Sequence, residues 1–337
     1  MKRRAFTLME LLIVILIIGL LVGLSVAAYV GAAEQARANR TRAIISKLDQ
    51  LVSAKWDGYK TRRLPISTSG YRPRSEPFVD TNGNGFWDGG ESFTDQAPFN
   101  GTYDRGAAYY RLMAMREVQR MELPDRATDV VDPTTGNIEV TYAGFAQSSV
   151  ARGYYRKVQA GTGGNPLNWS IQHQGAECLH LIVSAMNDGD KNAIDFFTPD
   201  EIGDTDQDGM REILDGWGNP IGFLRWAPAF TVENVGIVSS QTAAMNNGTP
   251  VQPDPFDVIN EDARDTFALR PLIVSGGRDG VVDVALDFGA STFRYSQNRN
   301  DPYYVPTLPL VPLGTVNLGG NGEWLDNITN QDQTPQP

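Results

Sequence analysis

The chain has 337 residues, 41% of them hydrophobic, and carries 29 Lys or Arg against 40 Asp or Glu, a formal net charge of −11. So acidic a surface argues against a nucleic-acid partner, because phosphate binding needs a basic face. The one cysteine, Cys178, excludes an intrachain disulfide, so rigidity must come from packing or metal.

The chain opens on Lys2-Arg3-Arg4, then Ala5 and Phe6-Thr7-Leu8-Met9-Glu10. From Leu11 to Ala33 the run is apolar or small, broken by Ser25 and Tyr29. At about 1.5 Å per residue it reaches roughly 35 Å, enough for a bilayer core of about 30 Å. A cleaved secretory signal has a shorter apolar core, about 7–15 residues. A plain signal anchor explains the length and the basic start, but leaves Glu10 without a role. A carboxylate at the head of such a run is costly in lipid and calls for a partner.

Beyond the apolar run, Ile45, Leu48, Val52, Trp56 and Tyr59 recur at spacings of 3 and 4, with Ile44 and Leu51 beside them. That is one face of an amphipathic helix. No proline interrupts before Pro65, so one helix is expected from about Phe6 to Lys60. Gly19, Gly23 and Gly31 would bend it or let neighbouring helices approach closely. Residues 34–63 hold eight basic and three acidic residues, whereas residues 64–337 hold 18 basic and 36 acidic ones.

The stretch Ala5-Phe6-Thr7-Leu8-Met9-Glu10-Leu11-Leu12 resembles the class III signal of type IV pilins and type II secretion pseudopilins. The resemblance implies that a prepilin peptidase cuts between Ala5 and Phe6 and methylates the new amino group. The family has Gly before the cut. Ala5 is the smallest change from it and implies slower cleavage. Glu10, the fifth residue of the mature chain, would neutralise the Phe6 amine of a neighbouring subunit during assembly. An ammonium and a carboxylate buried together cost far less than either alone.

The expected organisation is a leader at 1–5, a transmembrane or filament-core helix at 6–33 and its amphipathic continuation at 34–63. A pilin-like head with insertions follows at 64–300, then a Pro/Gly/Asn-rich tail at 301–337. Within the head, 64–104 reads as loop, Ala107–Met121 as helix, and 136–160 as mixed strand and loop with Ile138–Tyr142 the best strand. Gln174–Asn187 reads as helix, and Ile221–Trp226, Leu272–Ser275 and Val281–Leu286 as strands. The last ten residues are expected to be disordered. The fold class is α+β: a long N-terminal helix packed on a small antiparallel sheet, in an enlarged, loop-rich head with calcium loops.

Two segments match the twelve-residue calcium loop. In the first, Asp80, Asn82, Asn84 and Asp88 supply side-chain oxygens, Phe86 a carbonyl, and Glu91 closes the site. In the second, Asp204, Asp206, Asp208 and Glu212 supply side chains, Met210 a carbonyl, and Asp215 closes it with a shorter arm. Such a loop presents every second residue to one ion, and Gly at position six takes the tight turn. The competing reading is a solvated turn, for which Asp, Asn and Gly are also the preferred residues. A third stretch, Asp188-Gly-Asp190-Lys-Asn192, lacks the glycine and the closing acid.

Two head motifs extend the resemblance. Leu214-Asp215-Gly216-Trp217-Gly218-Asn219-Pro220-Ile221 is similar to the Asp-x-Trp-Gly-x-Pro segment of major pseudopilins, which leads into their sheet. Ile273-Val274-Ser275-Gly276-Gly277-Arg278-Asp279-Gly280 looks like the family's Ser-x-Gly-x-Asp-Gly turn. The resemblance would make Asp279 and Asp283 calcium ligands. A hairpin turn between Leu272–Ser275 and Val281–Leu286 fits the same residues. About fifty residues separate Pro220 from Pro271, more than in small pseudopilins.

No catalytic motif appears. His173 and His180 are seven apart on the expected helix and lack a third ligand at metal spacing. Trp56, Trp217 and Trp226 read as core. The expectation is therefore a structural protein, not an enzyme. It would be a subunit of a type II secretion pseudopilus or type IV pilus-like filament, with calcium (one to three sites) as its only cofactor. Expected partners are a prepilin peptidase, copies of itself and other pilin-like subunits, an inner-membrane assembly platform and membrane lipid, with no nucleic acid. The protein would cross the bacterial inner membrane once, N terminus cytoplasmic and head periplasmic or extracellular. The alternative is a minor pilin whose large head caps a filament and binds a surface, polymer or secreted substrate.

Overall fold

The computed structural model describes residues 8–64, 66–67, 69–141, 145–230, 253–264, 266–286, 301–303, 311–317 and 326–331. Helix α1 (Leu8–Gly58) runs unbroken and ends in a 3-10 turn at Tyr59–Thr61. At 1.5 Å per residue it is about 75 Å long. Its expected stripe is buried: Ile44, Ile45, Leu48, Val52, Trp56 and Tyr59 all lie in the main core. Burying each such side chain contributes about 1.5–3 kcal/mol, so this half of α1 is held by its packing, not by intrinsic helix propensity.

Among the described residues three shorter helices build the head: α2 (Ala107–Glu122), α3 (Ser149–Gly161) and α4 (Gln174–Val183). The first matches its expected span closely. The second replaces the expected strand and loop over 136–160. Ser148 caps it by accepting from the Ala151 amide at 3.0 Å, and Tyr154 and Val158, one turn apart, are fully buried. Ile138 makes only an isolated bridge to Val131, and Tyr142 lies outside the described residues. Helix α4 stops four residues before the expected Asn187. There the chain turns into a short hairpin, β1 (Asn187–Asp188) with β2 (Lys191–Asn192), through Gly189 at φ +59°.

A second two-stranded unit pairs β3 (Ile202–Gly203) with β4 (Glu212–Ile213), antiparallel. The central sheet has three antiparallel strands in the order β5 (Gly222–Leu224), β6 (Leu272–Ser275), β7 (Ile328–Thr329). Phe223 pairs with Ile273, and Ser275 with Ile328. All four residues of β6 are buried, and its three apolar residues alternate between two clusters as a strand requires. Ile273 and Phe223 join the α1 stripe, whereas Leu272, Val274 and Leu224 join Ala227, Phe230, Val284 and Leu313. The sheet is thus a layer between the helix and a second small core, and the chain is α+β.

Two features of the sheet depart from expectation. Val281–Leu286 does not fold back on β6 as a hairpin; Val284 bridges Val316 instead. The places beside β6 are taken by β5 and by β7, which lies within the tail residues expected to be disordered. Several described residues of the long insertion also pack inward, Phe267 and Leu269 among them. Phe256 meets Trp56 edge to face, and buried Arg116 of α2 lies 3.4 Å from Asp262.

Candidate functional site

Two places combine chemistry with position: the outer half of α1, and an acidic cluster beneath α4. Ala5 and Phe6 lie outside the described residues. Glu10 stands in the first turn of α1, where an acid suits the helix dipole, and is exposed. From Leu8 to Val30 the large apolar side chains are uncovered, Leu24 at 63% exposure being typical. An apolar surface that continuous requires lipid or other helices around it. Gly19, Gly23 and Gly31 leave open space at their surfaces.

The head takes hold of α1 where the apolar run ends. Trp217 Nε1 donates to Glu34 Oε2 at 2.9 Å, and the Gly216 amide donates to Thr41 Oγ1 at 2.9 Å. Gly216 is required: a Cβ there would sit 2.4 Å from the Arg37 carbonyl oxygen. Arg40 reaches Glu201 at 3.2 Å. The turn that carries Trp217 is held by Asp215. Its Oδ1 accepts from the Trp217 and Asn219 amides, both at 2.9 Å, and its Oδ2 accepts from Ser275 Oγ at 2.6 Å. Asp215 therefore ties the two resembling head motifs to each other.

The acidic cluster forms where the 204–212 loop, between β3 and β4, meets α4. Single carboxylate oxygens of Glu177, Asp206 and Glu212 lie within 4.8 Å of one another, and so do those of Asp204, Asp206 and Asp208. The loop turns through Gln207 at φ +62° and Gly209 at φ +92°. It packs so close to the end of α3 that a Cβ at Gly209 would stand 2.2 Å from the Gly161 carbonyl. Asp208 accepts from the Met210 amide at 2.7 Å and the Ser170 amide at 2.6 Å. Glu212 accepts from Thr205 Oγ1 at 2.9 Å. Asp204 accepts from the Gly209 amide at 3.2 Å. Glu177 is fully buried; Trp169 Nε1 donates to its Oε2 at 2.5 Å, and its Oε1 meets no hydrogen-bond partner. Neither oxygen of Asp206 has one. Burial, with Asp208, Asp206 and Glu212 nearby, pushes Glu177 up to about 10. Burial also raises Asp208 and Glu212.

Residues 1–26 match the family model described as the prokaryotic N-terminal methylation motif. The chain carries the type IV pilin and pseudopilin signal. No curated protein and no solved structure matches it. The signal implies processing by a prepilin peptidase and assembly into pilin filaments, and the uncovered apolar helix that follows is compatible with membrane anchoring.

The other expected ligands fall elsewhere. In the 80–91 loop Asp80 accepts from the Gly83 and Gly85 amides, each at 2.7 Å. Asn82 and Asn84 donate to Asp88, and Glu91 accepts from Thr81 and from the Asp88 amide. Phe86 packs edge to face on Tyr109. These carboxylates are not among the converging groups of the described residues. Asp279 is exposed and accepts from the Val281 amide, while Asp326 Oδ2 takes the Arg278 and Asp279 amides of that turn. Asp283 is buried beside the Val284 bridge. The Met210 side chain is buried in the main core. Glu177 was not visible as a site residue in the sequence. Its one signal is an acid in an otherwise apolar helical run, Ala176-Glu177-Cys178-Leu179.

Proposed function

We propose that this chain is a structural subunit of a type II secretion pseudopilus or a related type IV pilus-like filament, made as a precursor and cut between Ala5 and Phe6. What carries the reading is the methylation motif leading into one continuous helix with two different surfaces. Its first half is apolar and uncovered, and its second half is the core of the head. A helix built in that way delivers a folded head to one side of a membrane and leaves the rest of itself to pack against neighbours.

Assembly would proceed from insertion of the apolar helix with Lys2-Arg3-Arg4 on the cytoplasmic side. Cleavage then leaves an amine on Phe6. Glu10 of an adjacent subunit would pair with that amine as both leave lipid for the filament core, which fixes the axial register. The energy for extraction comes from a cytoplasmic motor, not from this chain. The grip of Trp217 and Gly216 on α1 keeps head and helix aligned while that force is applied.

The test is expression with a prepilin peptidase and its assembly platform, with filaments counted by electron microscopy and labelled through the head. Filaments containing the chain are expected, and Glu10→Leu should abolish them while leaving membrane insertion and cleavage intact. Filaments that form equally well with Glu10→Leu would overturn the register role. A chain that never enters filaments would overturn the reading as a whole.

A further inference from the structure

We propose that Glu177, Asp206 and Glu212, with Asp204 and Asp208, form a calcium site that staples α4 to the β3–β4 hairpin. The proposal stands apart from the filament reading and would hold for the head in any context.

Acidic residues gathered in one loop are not in themselves a site. The decisive group is Glu177, which comes from outside the loop. Its side chain is fully buried, its Oε1 has no hydrogen-bond partner, and that carboxylate is brought to within 4.8 Å of Asp206 and Glu212. A buried acceptor without a donor costs about 1–3 kcal/mol. Among the described residues, no Lys, Arg or His forms a salt bridge with any of the five carboxylates within 4.0 Å, although His173 acts electrostatically on Glu212 in favour of its charged form. By contrast, other buried acids of the head sit beside arginines, as Asp129 does at 2.8 Å from Arg225 and Glu117 at 2.7 Å from Arg120. Among the described residues the cluster gathers more acids than the side chains around it neutralise, which is the arrangement a bound cation would complete.

Geometry selects the class of ion. Oxygens bound to one calcium at about 2.3–2.6 Å can stand no more than about 5 Å apart, a limit that both carboxylate triads meet. The donor set is oxygen alone, which suits a hard cation and disfavours zinc. Asp206 belongs to both triads and has both oxygens without a partner, so it is the central ligand. Thr205 orients Glu212, and Ser170 and Met210 orient Asp208 through their amides. Trp169 holds Glu177 Oε2, which leaves Oε1 for the ion. The twelve-position pattern is thereby rewritten: Glu177 joins from α4, whereas Asp215 is engaged by Ser275 and the Trp217 turn.

The purified full-length chain in detergent, stripped with a chelator, is titrated with calcium chloride by calorimetry. It is also titrated with terbium chloride under tryptophan excitation. Saturable calcium binding is expected, with terbium emission sensitised by Trp169. Asp206→Asn should weaken calcium binding at least about 100-fold, and Glu177→Gln and Trp169→Phe by about tenfold or more, as for ligands and their supports. Trp169→Phe should also remove the terbium emission. Asp80→Asn, in the other loop, should leave the terbium emission sensitised by Trp169 unchanged. The proposal fails if the wild type takes up no calcium at about 10 mM, well above the weakest extracellular modules at about 1 mM. It fails equally if Asp206→Asn and Glu177→Gln both bind like the wild type. Should Asp206→Asn lose its near-ultraviolet circular dichroism, Glu177→Gln decides alone, since Gln has the same shape and carries no charge.

Discussion

Replacing Asp215 by Ala tests how the head is joined to the helix. Asp215 is 3% exposed and Ser275 is fully buried. The carboxylate accepts from Ser275 Oγ at 2.6 Å and from the Trp217 and Asn219 amides, both at 2.9 Å. Alanine leaves a buried hydroxyl and two half-buried amides without that acceptor. A hydrogen bond to a charged group contributes about 1.5–3 kcal/mol, and an orphaned buried donor costs about 1–3 kcal/mol. Two of the three donors can recover water, so the expected loss is about 3–5 kcal/mol. For a domain of this size that lowers the melting temperature by roughly 6–20 °C. The assay is thermal and urea unfolding of the full chain in detergent, with and without calcium. Asp215→Asn keeps an acceptor for the amides, and the Ser275 hydroxyl can rotate, so its cost should be about 1 kcal/mol. A loss below about 1 kcal/mol for Asp215→Ala would refute the reasoning. A penalty that appears with calcium and vanishes under chelation would instead make Asp215 a metal ligand.

Three further outcomes follow. Leu48→Ala, at a fully buried position of α1, should destabilise the head by about 2–5 kcal/mol in urea, while the same change at exposed Leu24 leaves head unfolding unchanged. Burial, with Lys157 and Arg211 adding, pushes His180 down to about 4 from its ordinary 6.5. The unfolded chain therefore binds the proton first. The stability contributed by neutral His180 is complete above pH 6.5 and is lost as pH falls towards 4. Unfolding free energies measured across that window should fall with acid more steeply in the wild type than in His180→Gln. Ala5→Gly should speed conversion of precursor to mature chain in a pulse-chase with prepilin peptidase; an unchanged rate would remove the role given to Ala5.

Much of the long helix was legible because its signal is local. Ile45, Leu48, Val52, Trp56 and Tyr59 state their face in their spacing, and all five are buried. The Asp215–Pro220 segment could likewise be recognised as leading into the sheet, since β5 follows at Gly222. What escaped was non-local. Nothing near Val281–Leu286 announces that the places beside β6 belong to β5, about fifty residues earlier, and to β7, about fifty later. Helix α3 was hidden by Gly153 and by a run of Arg, Tyr and Gln residues; tertiary burial of Tyr154 and Val158 holds it. The 204–212 loop was visible as an acidic repeat, but Glu177 reaches it only through the packing of α4 against β4. Sequence spacing can gather acids within a loop. It cannot show an acid that arrives from another element.

The central claim concerns the N terminus, and mass spectrometry of the membrane-extracted protein addresses it most directly. Intact mass and the N-terminal peptide should show a mature chain beginning at N-methylated Phe6, with Glu10 as its fifth residue. A chain that still begins at Met1, or one that begins beyond the apolar run, would contradict the account.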